Sequence, residues 1–319
     1  MQRKIEGIRD FEILGSSSRG LAICALFCLF LVACKQTPPV APNELTPLQK
    51  LVNSDTSLSF FHRTLLRANE AALLNDASVT LLVPTNDAFR AAGYTQAGLD
   101  SLRAYQADLI VRYQFIPSRI TVPVGPGYTA YTTLTGVPVY GTSDGTQILF
   151  NGIPVTQDTA ASGNALVYRL GGLLQTPTDS LNHFLRGDTT LSFLSEAFLR
   201  THLYDSLLLA GGSYTLLAAH NNAFRNAGYD SVGAIDSVDI TVLNRLVRYQ
   251  VVKGLFFIRD LAGLNSLSTV EGGVLTVSHL NGGIQFSGPG NAVPANLLTG
   301  DQPAGNGFLV HRIDQVLQP

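Results

Sequence analysis

Residues 141–145 match the Gly-x-Ser-x-Gly spacing that surrounds the nucleophile of many serine hydrolases. In those enzymes the serine lies on a sharp turn between a strand and a helix, and this turn exposes its hydroxyl group. Here β-type runs lie on both sides of the pattern, and Asp144-Gly145 is a strong hairpin-turn dipeptide. We therefore predict that Ser143 lies in a hairpin and is not a catalytic nucleophile.

The other polar residues do not predict a metal or cofactor site. No two of the six histidines are three to five residues apart, so the sequence offers no helical pair of metal ligands. Asp230, Asp236 and Asp239 lack calcium-loop spacing and are expected near a helix N-terminus, where the helix dipole favours a carboxylate. Asn86 and Asn222 are expected to hydrogen-bond the backbone at a helix start, with a solvent-facing ligand contact as the alternative. The sequence thus predicts no catalytic residue, no metal ligand and no cofactor.

The N-terminal segment resembles the leader of a bacterial lipoprotein. Four basic residues precede an apolar run over residues 21–33, and this run ends in Leu31-Val32-Ala33-Cys34. The run is shorter than the roughly 20 residues that a membrane-spanning helix requires, although such a helix is the alternative interpretation. A short apolar run that ends in small residues and a cysteine resembles a lipobox. The resemblance implies lipidation of Cys34 and removal of residues 1–33.

This resemblance also implies a location in the cell envelope. Cys24 and Cys28 lie in the leader, so the mature chain would contain neither a disulfide nor a thiol other than that of Cys34. Residues 34–43 are rich in proline and predict an extended tether. We expect a lipid anchor in a bacterial membrane, with the outer membrane favoured and the leaflet left open.

Most of the mature chain is an internal duplication. Residues 81–94 and 216–229 are identical at nine of fourteen positions, at a constant offset of 135. Further matches on both sides of this segment show that the repeat has the length of a whole domain. We predict a first copy over residues 44–176 and a second copy over residues 177–319. Each is expected to fold alone, with an exposed linker near residues 174–179.

Helical periodicity dominates the first half of each copy. In the first copy, a short strand over residues 80–83 is followed by Thr85, which is a good N-cap for a helix through Phe89. Apolar residues then recur at helical spacing over residues 99–113, and the predicted stripe includes Tyr105 and Leu109.

Strand and hairpin patterns dominate the second half of each copy. Asp144-Gly145, Asn151-Gly152 and Asn281-Gly282 predict tight turns, and residues 165–170 and 308–313 predict closing strands. The predicted fold class is α+β, with helices followed by an antiparallel meander.

Four motifs resemble those of the fasciclin-1 domain. They are TLLVPTNDAF over residues 80–89, LIVRYQFIPSRI over residues 109–120, TLTG over residues 133–136, and NGFLVHRIDQVLQP over residues 306–319. The resemblance covers nearly the whole mature chain, since related segments recur in the other copy. It implies two tandem wedges, each with helices packed on an antiparallel β-sandwich. It also implies extracytoplasmic adhesion without catalysis, and a packed structural role for His311.

The family's second signature carries a histidine that belongs to its proposed interaction region. This position is Gln114 in the first copy and Gln250 in the second, each preceded by a tyrosine, Tyr113 or Tyr249. These four residues are the family's second-signature positions in this chain, and the glutamines depart from its pattern.

Tyrosines that occur only in the first copy are the candidate ligand-binding residues. Tyr128 and Tyr131 follow a glycine-rich stretch, and exposed rings there would stack on a sugar or a protein partner. Ordinary strand packing is the alternative, for these two as for Tyr140.

The predicted function is non-catalytic adhesion to an extracellular matrix protein or a polysaccharide, by a protein held at the membrane through its lipid. The chain has a net charge of −2 and no basic stripe, which argues against nucleic acid as a partner. The alternatives are a structural envelope spacer without a defined ligand and, less favoured, a hydrolase.

Overall fold

The computed structural model describes residues 44–75, 78–178, 180–280, 282–305 and 307–319. The predicted leader, Cys34 and the predicted tether lie outside these residues, as does Asn281 of the third predicted turn. Residues 45–319 form one compact unit.

Helices form the first half of each copy, as the apolar periodicity predicts. In the first copy the helices are α1 (Pro47–Ser54), α2 (Ser59–Arg67), α3 (Asn86–Ala91), α4 (Gln96–Asp100) and α5 (Ala104–Tyr113). In the second copy they are α6 (Leu181–Gly187), α7 (Ser192–Thr201), α8 (Leu203–Ala210), α9 (Asn221–Asn226), α10 (Val232–Asp236), α11 (Ile240–Tyr249) and α12 (Ile258–Leu261). Short 3-10 turns occupy Thr56–Leu58, Ala71–Asn75 and Thr189–Leu191.

The helix that follows the first strand of each copy is capped by a side chain. Thr85 Oγ1 accepts a hydrogen bond from the Ala88 N–H at 3.3 Å, which confirms the predicted N-cap of α3. His220 occupies the equivalent position in the second copy, and its Nδ1 accepts from the Ala223 N–H at 3.0 Å. The ring nitrogen therefore replaces the threonine hydroxyl as a cap.

Most strands follow the helices, although one strand lies among the helices of the first copy and two precede the last helix of the second. The first copy has β1 (Thr80–Pro84), β2 (Phe115–Ile116), β3 (Gly125–Thr132), β4 (Pro138–Ser143), β5 (Ile148–Phe150), β6 (Ile153–Ser162) and β7 (Ala165–Leu170). The second has β8 (Tyr214–Ala219), β9 (Val251–Lys253), β10 (Ser266–Ser268), β11 (Val274–Leu280), β12 (Gly283–Ser287), β13 (Ala295–Pro303) and β14 (Phe308–Ile313).

Across the described residues, the strands of each copy join into one seven-stranded sheet. The order is β2-β1-β7-β6-β5-β4-β3 in the first copy, and the second repeats it as β9-β8-β14-β13-β12-β11-β10. The α+β class with helices packed on a sheet is confirmed. The sheet is mixed and not purely antiparallel, because β1 runs parallel to β7 and β8 runs parallel to β14. Helices and hairpins separate these strands in sequence, so the long connection allows parallel pairing.

The predicted turns are formed by residues with positive φ. Gly145 has φ +90°, and Asn151 and Gly152 have φ +48° and +77°. Gly152 also lies against the second copy, where a Cβ atom would come within 3.1 Å of Asp301 Oδ2. A glycine is therefore required there both by the turn and by the close approach.

Apolar side chains of the helices and the sheet form the core, as one main cluster in the second copy and as two in the first. Phe89 and Phe224 are equivalent and fully buried. The predicted stripe over residues 99–113 is partly wrong, since Tyr105 is 53% exposed and Leu109 is 44% exposed. The helical phase is interrupted between α4 and α5, so that α5 buries Val111 and other residues on a different face.

Candidate functional site

The hydrolase-like pattern is part of a hairpin, as predicted. Ser143 is the last residue of β4, and its Oγ accepts a hydrogen bond from the Gly145 N–H at 3.2 Å. Asp144 Oδ1 accepts from the backbone N–H groups of Thr146 and Gln147, each at 2.8 Å. The serine is buried and its hydroxyl stabilises the turn. In the part of the chain that the structure describes, no group of histidine, cysteine and acidic side chains could hold a metal ion.

The second-signature glutamines are buried at the C-terminal ends of α5 and α11. Gln114 Nε2 donates to the carbonyl oxygens of Ile110 at 3.1 Å and Leu174 at 3.0 Å. Gln250 Nε2 donates to Leu246 O at 2.9 Å and Leu317 O at 2.8 Å. Each glutamine therefore ties a helix to the segment that follows the closing strand of its own copy.

The two glutamines differ in their acceptor atoms. Gln250 Oε1 accepts from the Leu317 N–H at 3.1 Å, whereas Gln114 Oε1 is buried without a hydrogen-bond partner. An unpaired buried carbonyl costs free energy, so the Gln114 side chain should stabilise its copy less than the Gln250 side chain does.

The tyrosines beside the glutamines are also part of the core. Tyr113 OH donates to Pro138 O at 3.0 Å, and Tyr249 OH donates to Val274 O at 2.9 Å. Burial raises the pKa of both phenols. The second-signature positions therefore hold the fold and do not present side chains to solvent.

The signature asparagine of each copy links α3 or α9 to the preceding helix. Asn86 Oδ1 accepts from the Phe60 N–H at 2.9 Å, and Asn221 Oδ1 accepts from the Phe193 N–H at 3.1 Å. The expectation for Asn222 was wrong by one position, because Asn222 faces solvent and accepts from Arg225 at 2.6 Å.

Two of the first copy's three extra tyrosines, Tyr128 and Tyr140, lie at a contact between the copies. Tyr128 OH donates to Asp260 Oδ2 at 2.6 Å, and its ring centroid is 4.7 Å from that of Phe257. Tyr140 is buried, and its hydroxyl accepts from the Gly307 N–H at 2.8 Å. Tyr131 stays within the first copy, where its hydroxyl donates to Thr121 O at 2.7 Å. Tyr128 and Tyr131 are thus half-buried packing residues, and their role in ligand binding stays a prediction.

We call this contact the junction. It consists of Tyr128, Tyr140, Asp144, Gly152, Phe257, Arg259, Asp260, Asp301, Gly307 and Leu309. At its exposed rim, Arg259 Nη2 donates to Asp144 Oδ2 at 2.6 Å. The junction therefore combines an apolar centre with polar contacts around it.

Two carboxylates of the second copy meet at the junction. Asp260 Oδ2 accepts from the Phe257 N–H at 2.9 Å, and Asp301 Oδ1 accepts from the Ile258 N–H at 2.8 Å. Burial raises the pKa of Asp301 to about 6, and the nearby Asp260 carboxylate adds to this rise. The sequence analysis missed both residues. The Gly300-Asp301 pair, where Asp301 has φ +54°, was the local indication of a special turn.

His311 is a structural residue, as the resemblance implies. Its Nε2 lies 2.7 Å from Phe256 O, and its Nδ1 accepts from the Asp301 N–H at 3.2 Å. Burial lowers the pKa of His311 to about 4, so the ring is neutral at physiological pH. A side chain at Gly300 would clash with this ring, since a Cβ atom there would lie 2.2 Å from Nδ1.

The linker between the copies is held at both ends. Leu174 is buried, and Thr176 Oγ1 donates to Leu109 O at 3.0 Å. Thr178 O accepts from the Gly305 N–H at 2.8 Å. The linker, expected to be exposed, is therefore only partly so, since Leu174 is buried, Gln175 is exposed, and Thr176 and Thr178 are half-buried and hydrogen-bonded.

The model of one protein family, the Fasciclin domain, matches residues 56–176 and 189–319. The chain is 25% identical over 292 residues to the transforming growth factor-beta-induced protein ig-h3 of Sus scrofa. That alignment includes 89% of this chain and 41% of the relative, so the chain spans about two fifths of the relative's length.

A solved structure also resembles the chain. It is a FAS1 domain pair from the insect cell adhesion molecule fasciclin I, and it is 17% identical with a TM-score of 0.41. The match includes 82% of this chain and 97% of the other chain.

Proposed function

Since its two matched segments make the chain a member of the fasciclin domain family, we propose that it is a lipid-anchored extracytoplasmic protein that mediates adhesion without catalysis. Fasciclin domains are extracellular modules related to adhesion. The partner we propose is a matrix protein or a polysaccharide, bound by exposed loops and side chains on a rigid scaffold.

One observation carries the non-catalytic part of the proposal. Side chains that could take part in catalysis are instead held by hydrogen bonds to the backbone. Ser143 lies in a turn, His311 contacts the Asp301 N–H and the Phe256 carbonyl, and Gln114 and Gln250 lie at helix ends. A nucleophile needs a base within hydrogen-bond reach, and Ser143 instead accepts from a backbone N–H. This arrangement favours a binding scaffold.

Turnover assays test the non-catalytic proposal. We expect no hydrolysis of ester or glycoside substrates above background by the wild-type protein. Hydrolysis that is abolished in a Ser143→Ala variant, with the melting temperature kept, would contradict the proposal.

The anchor is proposed from the sequence of residues 21–34. No helix within the described residues is long and apolar enough to cross a bilayer. Metabolic labelling with an alkyne fatty acid should mark the wild-type protein and leave a Cys34→Ser variant unlabelled. Equal labelling of both proteins would contradict lipidation at Cys34.

Adhesion is tested by binding of the full chain, held in nonionic detergent micelles, to immobilised matrix proteins and polysaccharides. The exposed surface of each copy includes apolar side chains at one equivalent position, with Leu66 57% exposed and Leu199 56% exposed. Saturable binding to one partner class supports adhesion. Absence of saturable binding across both classes would favour the structural spacer.

A further inference from the structure

A surface cavity of about 360 Å³ lies on the second copy, and its lining residues Gly212 and Tyr214 border Gly307 of the junction. Its polar lining includes Ser206 on α8, Ser213 before β8, Arg248 on α11 and Lys253 at the end of β9. Apolar side chains, among them Leu207, complete the wall. The volume is within the usual range for sites that bind small molecules. We call it the Arg248 cavity.

The cavity is cationic because its basic residues lack acidic partners. Neither aspartate nor glutamate contributes to its lining. Among the ion pairs of the described residues, none involves Arg248 or Lys253. Arg248 Nη2 donates to Val270 O at 3.0 Å, which fixes the guanidinium group without neutralising its charge.

The acidic side chain next to the lining residue Val270 is already engaged. Glu271 follows Val270, and its Oε1 accepts from Arg245 Nε at 3.1 Å. Its Oε2 accepts from the Gly273 N–H at 3.0 Å. Both oxygens of Glu271 are therefore held by groups other than Arg248 and Lys253.

The first copy has a neutralised version of the same place. Arg112 is the equivalent of Arg248 in the shared Val-Arg-Tyr-Gln segment, and its Nη1 lies 3.0 Å from Glu70 Oε1. In the second copy Glu70 is replaced by Leu203, since both follow a residue with positive φ at the end of a helix. Leu203 is buried and carries no charge.

The second copy has also gained a cation at this place. Lys253 lies opposite Tyr214 in the pairing of β9 with β8. In the first copy, the same register of β2 against β1 places Pro117 at the position of Lys253. Leu203 in place of Glu70 and Lys253 in place of Pro117 both make this part of the second copy more positively charged than its counterpart in the first. Both copies thus have an arginine at this place, but only the first pairs it with an internal counter-ion, and only the second has a lysine beside it.

We propose that the Arg248 cavity binds an oxyanion, such as a carboxylate or a sulfate, carried by an acidic saccharide. Arginine and lysine form the strong charge-assisted hydrogen bonds that carboxylate and sulfate oxygens accept. Ser206 Oγ donates to His202 O at 3.0 Å and can accept from a sugar hydroxyl, Ser213 offers a second hydroxyl, and the apolar wall is suited to the face of the sugar ring. The inference rests on the proposed adhesive function and names the chemistry of the partner.

The test is a calorimetric titration of the full chain, in nonionic detergent micelles, with trigalacturonate, inorganic sulfate and inorganic phosphate. We expect trigalacturonate to bind most tightly, with an affinity that falls as sodium chloride is raised. Lys253→Gln should weaken binding about tenfold, because it removes one charge-assisted hydrogen bond. Lys253→Arg should retain binding.

Matched variants separate the cavity from general surface charge. Arg112→Gln removes the equivalent arginine of the first copy, and Lys50→Gln removes another exposed lysine. Both should leave the affinity within about twofold of the wild-type value. The side chain of Lys253 is exposed and makes no hydrogen bond within the described residues, so its variants are expected to keep the melting temperature.

Several results would overturn the inference. They are absence of trigalacturonate binding, equal loss of affinity in Arg112→Gln and Lys253→Gln, and binding of the inorganic ions at least as tight as that of the saccharide. If the chain still adheres to a neutral matrix in any of these cases, only the inference fails. If it adheres to nothing, the proposed function fails as well.

Discussion

The two copies share a fold, but they differ in how equivalent residues are partnered. Gln114 and Gln250 occupy the same place, yet only Gln250 has a partner for its Oε1. Arg112 is paired with a glutamate, whereas Arg248 faces a cavity without an acid. His311 replaces the first copy's Tyr168 in the closing strand.

This difference separates residues that maintain the fold from residues that became specific to one copy. The contacts found in both copies tie helices to the preceding helix or to the segment after the closing strand, as the signature asparagines and glutamines do. The contacts found in one copy alone include those of the junction and the surface, and also the buried bond that Gln250 Oε1 accepts from Leu317. Duplication therefore preserved the packing of each wedge, while the surfaces diverged.

The largest expected effect tests whether the cores are equivalent. Phe89→Ala and Phe224→Ala should each lower the free energy of unfolding by about 3–5 kcal/mol, because each removes a fully buried ring and leaves a cavity. Urea unfolding followed by circular dichroism measures this loss.

Leu66→Ala and Leu199→Ala are the matched controls, since both leucines are more than half exposed. Their effects should stay within about 0.5 kcal/mol. A loss below about 1 kcal/mol for either phenylalanine would show that the two cores are not equivalent.

A smaller loss of stability is expected when either second-signature glutamine is replaced, and the loss should differ between the two copies. Gln250→Ala should cost about 3 kcal/mol, because it leaves the buried backbone groups of Leu246 and Leu317 without partners. Gln114→Ala should cost about 1 kcal/mol less, since it also removes a carbonyl that is already unpaired. Chemical unfolding of both variants gives the comparison, and a larger cost for Gln114→Ala would reverse the proposed order.

The next prediction concerns how His311 and Asp301, two residues of the second copy, make the stability depend on pH. The folded pKa of His311, about 4, lies below its ordinary value of 6.5, so stability is lost as the pH falls through this range. The folded pKa of Asp301, about 6, lies above its ordinary value of 3.8, so stability is gained as the pH falls through 6 toward 3.8. The two contributions oppose each other between pH 6.5 and 4.

Asp301→Asn should remove the contribution of Asp301 to the pH dependence and leave that of His311. The variant should be about 1–2 kcal/mol more stable than the wild type at pH 8, where burying the carboxylate charge is unfavourable. Its stability should then fall more steeply than that of the wild type as the pH is lowered to 4. Asp230→Asn, which changes an exposed carboxylate outside the junction, is the control. Parallel pH curves for Asp301→Asn and the wild type would rule out this account.

The smallest effect compares the two tyrosines of the first copy. Tyr128→Phe should cost about 1 kcal/mol by removing the hydrogen bond to Asp260 across the junction. Tyr131→Phe removes a bond within the first copy and should not alter the contact between the copies. Amide hydrogen exchange at the junction distinguishes them, and equal exchange in both variants would show that Tyr128 does not join the copies.

Much of the fold could be predicted from the sequence because its indications are local. The closing strands Ala165–Leu170 and Phe308–Ile313, the Thr85 cap and the turns at Gly145 and Asn151-Gly152 follow from alternation and turn chemistry. The parallel pairing of β1 and β7 could not be predicted this way, because it joins segments far apart in sequence.

The junction was harder to predict than the fold of each copy. Tyr128 and Tyr140 were recognised as specific to the first copy, but nothing local identifies Asp260 and Gly307 as their partners. Helical spacing also failed to show that Tyr105 and Leu109 are exposed, because a break between two short helices shifted the phase. Contacts between distant segments thus decide the junction, whereas a local break in the helix decides the exposure of Tyr105 and Leu109.

The central structural claim is that the junction and the held linker make the two copies one body. Differential scanning calorimetry of the full chain in nonionic detergent micelles tests it most directly. We predict one unfolding transition for the wild type, and two for a variant that combines Tyr128→Ala with Tyr140→Phe. Two separate transitions in the wild-type protein would contradict the claim and restore the two copies as independent domains.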